Sequence, residues 1–225
     1  MGLVAPALQA HDLYRFYHTG EEETRALRGV SLTISPGETV AVTGPSGSGK
    51  STLINCLAGL DEPDGGWVTV VGKRITRRPQ AERSSLRARY IGILLQSGNL
   101  LDHLTVGDNL QVGTHFAGNH RQRTAVKTAL ASVGLAGRAN AFPDQLSGGE
   151  LARASLALAF INDPAVLLVD EPTGEVDADN ERVILELIAG RAREGCASLI
   201  VTHSAAVASV ADRVLHLLDG RLDGE

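Results

Sequence analysis

The sequence holds only 2 cysteines, 1 methionine and 1 tryptophan among 225 residues, and 4% of it is aromatic. Cys56 and Cys196 stand far apart and outside any zinc-ligand spacing, so a structural zinc site is excluded, and in a reducing cytoplasm no disulfide is expected. Long apolar runs are missing as well: no stretch approaches the roughly 18 apolar residues that a membrane-spanning helix needs. The opening Met1-Gly2-Leu3-Val4-Ala5-Pro6 has neither a basic lead-in nor an apolar core, so no secretory signal is expected. Pro6 also stands where a myristoylation motif wants Ser or Thr. Positive charge is in deficit, with 21 Lys and Arg against 26 Asp and Glu and a net charge of -5. A chain built to grip nucleic acid would be basic or carry a strong basic stripe. The nearest approach is Lys73, Arg74, Arg77, Arg78, Arg83, Arg87 and Arg89. Glu82, Ser84 and Ser85 dilute it, and it reads as a solvated loop and helix face. No nucleic-acid partner is expected. A cytoplasmic location is, with any work at a membrane done through a partner.

What is present is a globular composition, 43% apolar and 21% charged, sufficient for one large domain over residues 1–225. Short apolar runs alternate with longer helical patterns, which points to an α/β fold with a largely parallel sheet. Thr39–Thr43, Ile91–Leu95, Val166–Val169 and Ser198–Thr202 lack alternation, as expected of strands covered on both faces. Leu8–Phe16 and Val30–Ile34 read as an antiparallel portion, with Trp67–Val71 a further strand. From Leu104 to Phe142 the pattern turns helical, with a helix over Ala125–Val133, and predicts a helical subdomain inserted between two strands.

The strongest local signal is Gly44-Pro45-Ser46-Gly47-Ser48-Gly49-Lys50-Ser51-Thr52. It matches the phosphate-binding pattern G-x-x-x-x-G-K-S/T between a strand and the helical run Thr52–Leu57. Glycines let successive backbone N–H groups turn toward a polyphosphate, and the helix N-terminus adds partial positive charge. Lys50 can then reach the outer phosphates, and Ser51 can place its hydroxyl on Mg²⁺. A second apolar run, Ala165–Val169, ends in Asp170-Glu171, which sets two carboxylates at the C-terminal edge of a buried strand. Asp170 suits Mg²⁺, as in phosphate-loop enzymes generally, and Glu171 suits the attacking water.

The segment Leu146-Ser147-Gly148-Gly149-Glu150 (the signature segment), just upstream of that strand, distinguishes among phosphate-loop enzymes. In this order and spacing the chain resembles, over essentially its whole length, the nucleotide-binding domain of ATP-binding-cassette (ABC) transporters. The resemblance implies a cassette with a phosphate-loop core, an N-terminal antiparallel portion and an α-helical subdomain near residues 97–160. It implies ATP and Mg²⁺ as ligands and hydrolysis of ATP to ADP and phosphate. Tyr17 falls where the family stacks an aromatic on adenine, although Tyr14 and Phe16 compete for that role. Gln96 resembles the glutamine that touches Mg²⁺ and senses the membrane partner, and Ser97–Val106 the groove that receives a permease helix. Asp177, in Gly174-Glu175-Val176-Asp177, resembles the aspartate that communicates across a dimer. His203 resembles the histidine that contacts the γ-phosphate. Ser147, Gly148 and Gly149 would cap the ATP of a second cassette, giving a head-to-tail homodimer on two nucleotides, peripheral to the membrane through permease subunits.

Gly20–Val30, Leu86–Gly92 and Leu101–Val106 are similar to the branch serving lipoprotein release, macrolide-type efflux and cell division. Export or extraction of a substrate is therefore expected, with a signalling or mechanical complex that transports nothing as the alternative. A soluble cassette of DNA repair or translation is disfavoured by the acidic charge and the single cassette. The chain departs from the family at Ala152 and Leu158, where Gln and Arg are usual, although Arg153 remains. It departs also at Glu175, Val176 and Ser204. None of these removes a group the chemistry needs.

Overall fold

The structure, a computed structural model, describes residues 5–19, 22–97, 99–116, 122–171 and 176–223. Two long strands, Leu8–Thr19 (β1) and Glu22–Ile34 (β2), pair antiparallel from Leu8↔Ile34 to Thr19↔Glu22. Thr39–Thr43 (β3) leads into the helix Lys50–Leu57 (α1). Gly65–Val70 (β4) pairs antiparallel with β1, and the short Lys73–Arg74 (β5) closes a four-stranded sheet of order β2-β1-β4-β5. Val71 ends β4 by taking a left-handed φ of 47°, which a strand cannot continue.

The second half alternates helices with parallel strands. Gln80–Tyr90 (α2) precedes Ile91–Leu94 (β6), and Val106–Phe116 (α3), Gln122–Ser132 (α4) and Gly148–Phe160 (α5) follow. Val166–Asp170 (β7), Ala178–Arg193 (α6), Ala197–Val201 (β8), Ala205–Ser209 (α7), Arg213–Leu218 (β9) and Arg221–Asp223 (β10) complete the chain. The six-stranded sheet has the order β10-β9-β3-β8-β7-β6, parallel except for β10.

The lack of alternation in the parallel strands has a direct cause. Along β7, Val166 and Leu168 enter one core, against Leu53, Ile54 and Leu57 of α1 and the inner faces of β1 and β2. Leu167 and Val169 enter the other, against Leu156 of α5 and Ile184 and Ile188 of α6. With a side-chain period of two, both faces must be apolar. A third core joins α3, α4 and α5 through Val106, Leu110, Val126, Leu130 and Ala154. This helical unit lies in the chain between β6 and β7, which are neighbours with Ile91 opposite Val166. Leu158, apolar where the family has Arg, packs on this core and faces Gly113 of α3.

Asn109, 3% exposed, ties the preceding loop to α3. Its Oδ1 accepts from the Leu101 N–H at 2.7 Å, and its Nδ2 donates to the carbonyls of Leu101, Leu104 and Thr105. A buried carboxamide so fully paired holds residues 101–105 without regular structure.

Element ends differ from the sequence expectations by a few residues. β1 and β2 run past Leu8–Phe16 and Val30–Ile34 because they pair with each other through polar positions as far as Thr19 and Glu22. β6 stops at Leu94, since Asn99 takes both backbone groups of Leu95 (Oδ1 from the N–H at 2.8 Å, Nδ2 to the carbonyl at 2.7 Å). α4 starts earlier than Ala125, and Asp170 is the last residue of β7, opposite Val201.

Candidate functional site

The loop between β3 and α1 is shaped by glycine. Gly44 and Gly49 have φ of 156° and 104°, and a Cβ on either would overlap a carbonyl, of Leu217 or of Ala26 respectively. Gly49 caps α1 with no side-chain acceptor, so the first amides of the helix have no intrahelical partner. A Cβ at Gly47 would meet nothing within 4 Å, so open space lies over the loop. Lys50, only 7% exposed, donates its ammonium to the carbonyls of Gly44 (2.8 Å) and Pro45 (2.9 Å). Ser48 Oγ is buried with no hydrogen-bond partner among the described residues. Uncapped amides, a buried cation and free space fit a polyphosphate.

Across the opening lies the end of β7. Glu171 has a left-handed φ of 50°, held by its N–H, which donates to the Val201 carbonyl of β8 at 2.9 Å. For a non-glycine residue that conformation is uncommon, and such residues cluster at functional sites. The turn aims the carboxylate at His203, just beyond the adjacent strand. The His203 backbone N–H donates to Oε2 at 3.2 Å, and the ring Nε2 lies 3.2 Å from Oε1. Ser204, where an acidic residue is usual, caps α7 by accepting from the Val207 N–H and donates its hydroxyl to Glu181.

A cleft of about 660 Å³ brings together Tyr17, Ser46, Gly47, Gly49, Lys50, Ser51, Thr52, Gln96, Asp170, Glu171 and His203. Gly44, Pro45 and Ser48 complete the loop beneath. Of the three competing aromatics only Tyr17 lines the cleft; Tyr14 packs over Gly29 and Gly65 and tilts against Phe16. The strand period decides it, because Tyr14 and Phe16 alternate with residues 15 and 17. Among the described residues no cluster of three or more His, Cys, Asp or Glu could hold a metal by itself. Mg²⁺ bound with a nucleotide keeps waters and phosphate oxygens and needs only one or two protein groups. Ser51, Asp170 and Gln96, gathered in one cleft, fit that requirement.

Sequence reasoning missed Thr24, Arg25 and Arg28 of β2 and the Asp219–Gly220 turn, which also line the cleft. They come from pairings between distant segments, such as the Arg28 N–H donated to the Gly220 carbonyl at 2.8 Å. Gly20–Val30 carries a branch resemblance, but no local motif gives these residues a place in the site.

Ser147, Gly148, Gly149 and Asp177 do not line this cleft. Ser147 caps α5: its Oγ accepts from the Glu150 N–H, and Glu150 Oε2 accepts from the Ser147 N–H at 3.0 Å. That amide, and then the Arg138 guanidinium 2.8 Å from Oε1, hold the Glu150 carboxyl below the usual range. Asp177 caps α6 through the Asn180 N–H, which with the Asn180 carboxamide lowers its carboxyl too. Glu175, noted above as a departure, lies outside the described residues.

Beside the cleft a second cavity, of about 390 Å³, runs between Ser97, Leu100 and Asp102, which lie between β6 and α3, and Leu151 and Ala152 of α5. Gln96 and Glu171 border both cavities. Ala152 leaves this wall apolar where the family has a polar amide.

Comparison with known proteins identifies the family and the fold. The ABC transporter family profile matches residues 27–174. The macrolide export ATP-binding/permease protein MacB 1 of Yersinia pestis bv. Antiqua is 38% identical over 221 residues, 97% of this chain and 34% of that protein. The chain thus spans about a third of the length of these relatives. An ABC transporter ATP-binding protein of Mycobacterium tuberculosis is 38% identical over 220 residues, 96% of this chain and 89% of that protein. Among solved structures, the dimeric post-hydrolysis state of the ATP-binding cassette MJ0796, bound to ADP and Pi, has a TM-score of 0.90. It is 32% identical, covering 96% of this chain and 97% of that one. A nucleotide-free cassette from an ABC transporter matches with a TM-score of 0.84 at 25% identity, covering 98% and 90%. With the phosphate loop, the Glu171–His203 pair and the signature segment on one mixed α/β framework, the chain belongs to the ABC transporter family of ATP-binding cassettes.

Proposed function

We propose that this cassette binds Mg·ATP in the cleft, hydrolyses it, and drives a membrane permease, in export or in extraction of a substrate from the membrane. The observation that carries the reading is the facing of the phosphate loop by Glu171 and His203 across one cleft. The Gly47–Ser51 amides and Lys50 hold the phosphates, and Thr52 continues the loop into α1. Mg²⁺, held by Ser51 and Asp170 with Gln96 beside it, would neutralise charge on the phosphate oxygens. Glu171 accepts a proton from water as that water attacks the γ-phosphate, giving ADP and phosphate, while His203 contacts the γ-phosphate. Positioning and charge stabilisation supply most of the catalysis in such reactions. Tyr17 supports the base.

Ser147, Gly148 and Gly149 serve a second copy: two cassettes close head to tail on two ATP, with each signature capping the partner's nucleotide and Asp177 at the seam. Residues 97–160 form the subdomain that meets the permease, within a single nucleotide-binding domain. The cavity between Ser97–Asp102 and α5 accepts the permease segment, and its border with Gln96 and Glu171 links docking to hydrolysis. Dimeric solved neighbours and a permease-fused relative support these two parts.

Phosphate release by the purified chain tests the enzyme, with Lys50→Ala expected to lose it; activity retained in that variant refutes the assignment. Co-purification from membranes tests the coupling. Asp102→Arg with Leu100→Glu should release an integral membrane partner while ATP binding persists.

A further inference from the structure

The floor beneath Tyr17 is built, and it is built from charge. Residues 15 and 17 share a face of β1, and the Arg15 guanidinium carbon lies 4.6 Å from the centroid of the Tyr17 ring. Arg15 grips the Asp61 carboxylate with two parallel bonds, Nε to Oδ2 and an η-nitrogen to Oδ1, both 2.9 Å. Its other η-nitrogen donates to Asp64 at 3.2 and 3.3 Å. The Tyr17 hydroxyl donates to the same Asp61 Oδ2 at 2.8 Å. The ring is thereby fixed at its polar tip and covered on one face by a planar cation, while Tyr17 itself lines the cleft.

Asp61 is in turn set by α1. Its N–H, like that of Leu60, donates to the Asn55 carbonyl near the end of the helix (3.1 and 2.9 Å). Asp64 ties the same turn to β1, accepting from the Phe16 N–H at 2.7 Å and donating its own N–H to the Tyr14 carbonyl. The helix that begins at Lys50, in the phosphate cradle, thus ends in the clamp on the aromatic. Eight residues of α-helix, about 12 Å, set the spacing between the two. Burial works against the charge of Arg15, but the bonds to Asp61 and Asp64 outweigh it and raise its pKa, so the cation persists at any pH of interest.

We propose that Arg15, locked by Asp61 and Asp64, is a positioning residue for nucleotide binding: it backs the Tyr17 ring so that the base, Tyr17 and Arg15 form a three-layer stack, and it thereby favours a nucleoside triphosphate over bare polyphosphate. This rests on the reading of the cleft as an ATP site. Arg15 touches no part of the nucleotide. It withholds one ring face from competing contacts and fixes the other, so that ordering of the aromatic is complete before the base arrives. A cation over the back of the ring is itself favourable, and Arg is the residue whose planar fork can pair a carboxylate and stack at once.

The test is titration calorimetry with Mg·ATP and with Mg·tripolyphosphate, on wild type, Arg15→Ala, Tyr17→Phe, Tyr17→Ala and the Arg15→Ala/Tyr17→Ala double variant. Loss of base stacking on an aromatic costs about tenfold in affinity. Arg15→Ala should weaken ATP by about that factor and leave tripolyphosphate within about twofold. Tyr17→Phe, which keeps the ring and loses its anchor, should fall between wild type and Tyr17→Ala for ATP alone. The double variant should be no weaker than Tyr17→Ala. Unchanged ATP affinity in Arg15→Ala overturns the inference, and so does an equal loss for tripolyphosphate or additive losses in the double variant. A wild-type protein that binds tripolyphosphate but not ATP, or neither, overturns the reading of the cleft instead.

Discussion

Gly149 is a glycine because of Asn180: a Cβ at Gly149 would overlap the Asn180 carboxamide. The same carboxamide accepts a hydrogen bond from Arg153, on the signature helix, and donates to both carboxylate oxygens of Asp177 (3.1 and 3.0 Å). Gly149 is not among the left-handed glycines, so the constraint is space rather than backbone conformation. One side chain of α6 therefore joins the signature segment to the aspartate that precedes α6.

Gly149→Ala should push Asn180 out and break the Arg153–Asn180–Asp177 chain. Overpacking of this kind costs about 1–3 kcal/mol of stability. ATP binding by the single chain should be unchanged, because neither residue lines the cleft, while nucleotide-dependent dimerisation and hydrolysis should fall at least about tenfold. Calorimetry for binding and light scattering for dimerisation separate the two effects. Equal loss of both would show that the contact serves folding alone.

The parallel strands make a prediction about the core. Leu168 is fully buried between β1, β2 and α1. Leu168→Ala should destabilise by about 2–5 kcal/mol, read as a lower urea midpoint with unchanged slope. Leu218→Ala, at a side chain 50% exposed on β9, should stay within about 0.5 kcal/mol.

Acid stability should depend on Asp61. Burial alone would raise its carboxyl, but hydrogen bonds from Arg15 and Tyr17 outweigh burial and hold it below the ordinary 3.8. A carboxyl depressed in the folded state binds more protons when unfolded, so its contribution is complete above the ordinary carboxylate range and is lost as pH falls through and below it. Glu150 and Asp177, both lowered, act in the same direction. Urea midpoints measured from pH 7 down to about 3 should fall, and the decline should be shallower in Asp61→Asn, which starts from a lower plateau. An identical slope in that variant would contradict this role.

Much of the site was legible because the chemistry is local in sequence. The phosphate loop needs its glycines and Lys50 within nine consecutive residues, and Asp170-Glu171 directly ends an apolar run. The central strands were legible too, since burial on both faces leaves an unbroken apolar signature. What could not be read depends on pairing at a distance. Tyr17 itself was singled out by the resemblance, but its anchoring by Asp61, more than forty residues on, was not legible. The left-handed turn at Glu171 depends on a bond to Val201. The placement of Arg28 and Gly220 at the cleft needs β2 to meet the last hairpin. Strands β9 and β10 escaped notice because β9 is covered on one face only: Leu215 and Leu217 are buried, while Val214, His216 and Leu218 are exposed, so His216 interrupts the apolar run that marks its neighbours.

In the proposed cycle Glu171 activates water and Ser147 caps the partner's nucleotide. Size-exclusion chromatography with light scattering of Glu171→Gln in saturating Mg·ATP tests both at once. Loss of a general base typically slows turnover about a hundredfold to ten-thousandfold, so bound ATP persists. The expected result is a stable dimer holding two ATP, absent without nucleotide and abolished when Ser147→Arg is added. A Glu171→Gln chain that binds ATP yet elutes as a monomer with and without its membrane partner, or a dimer that survives Ser147→Arg, would contradict it.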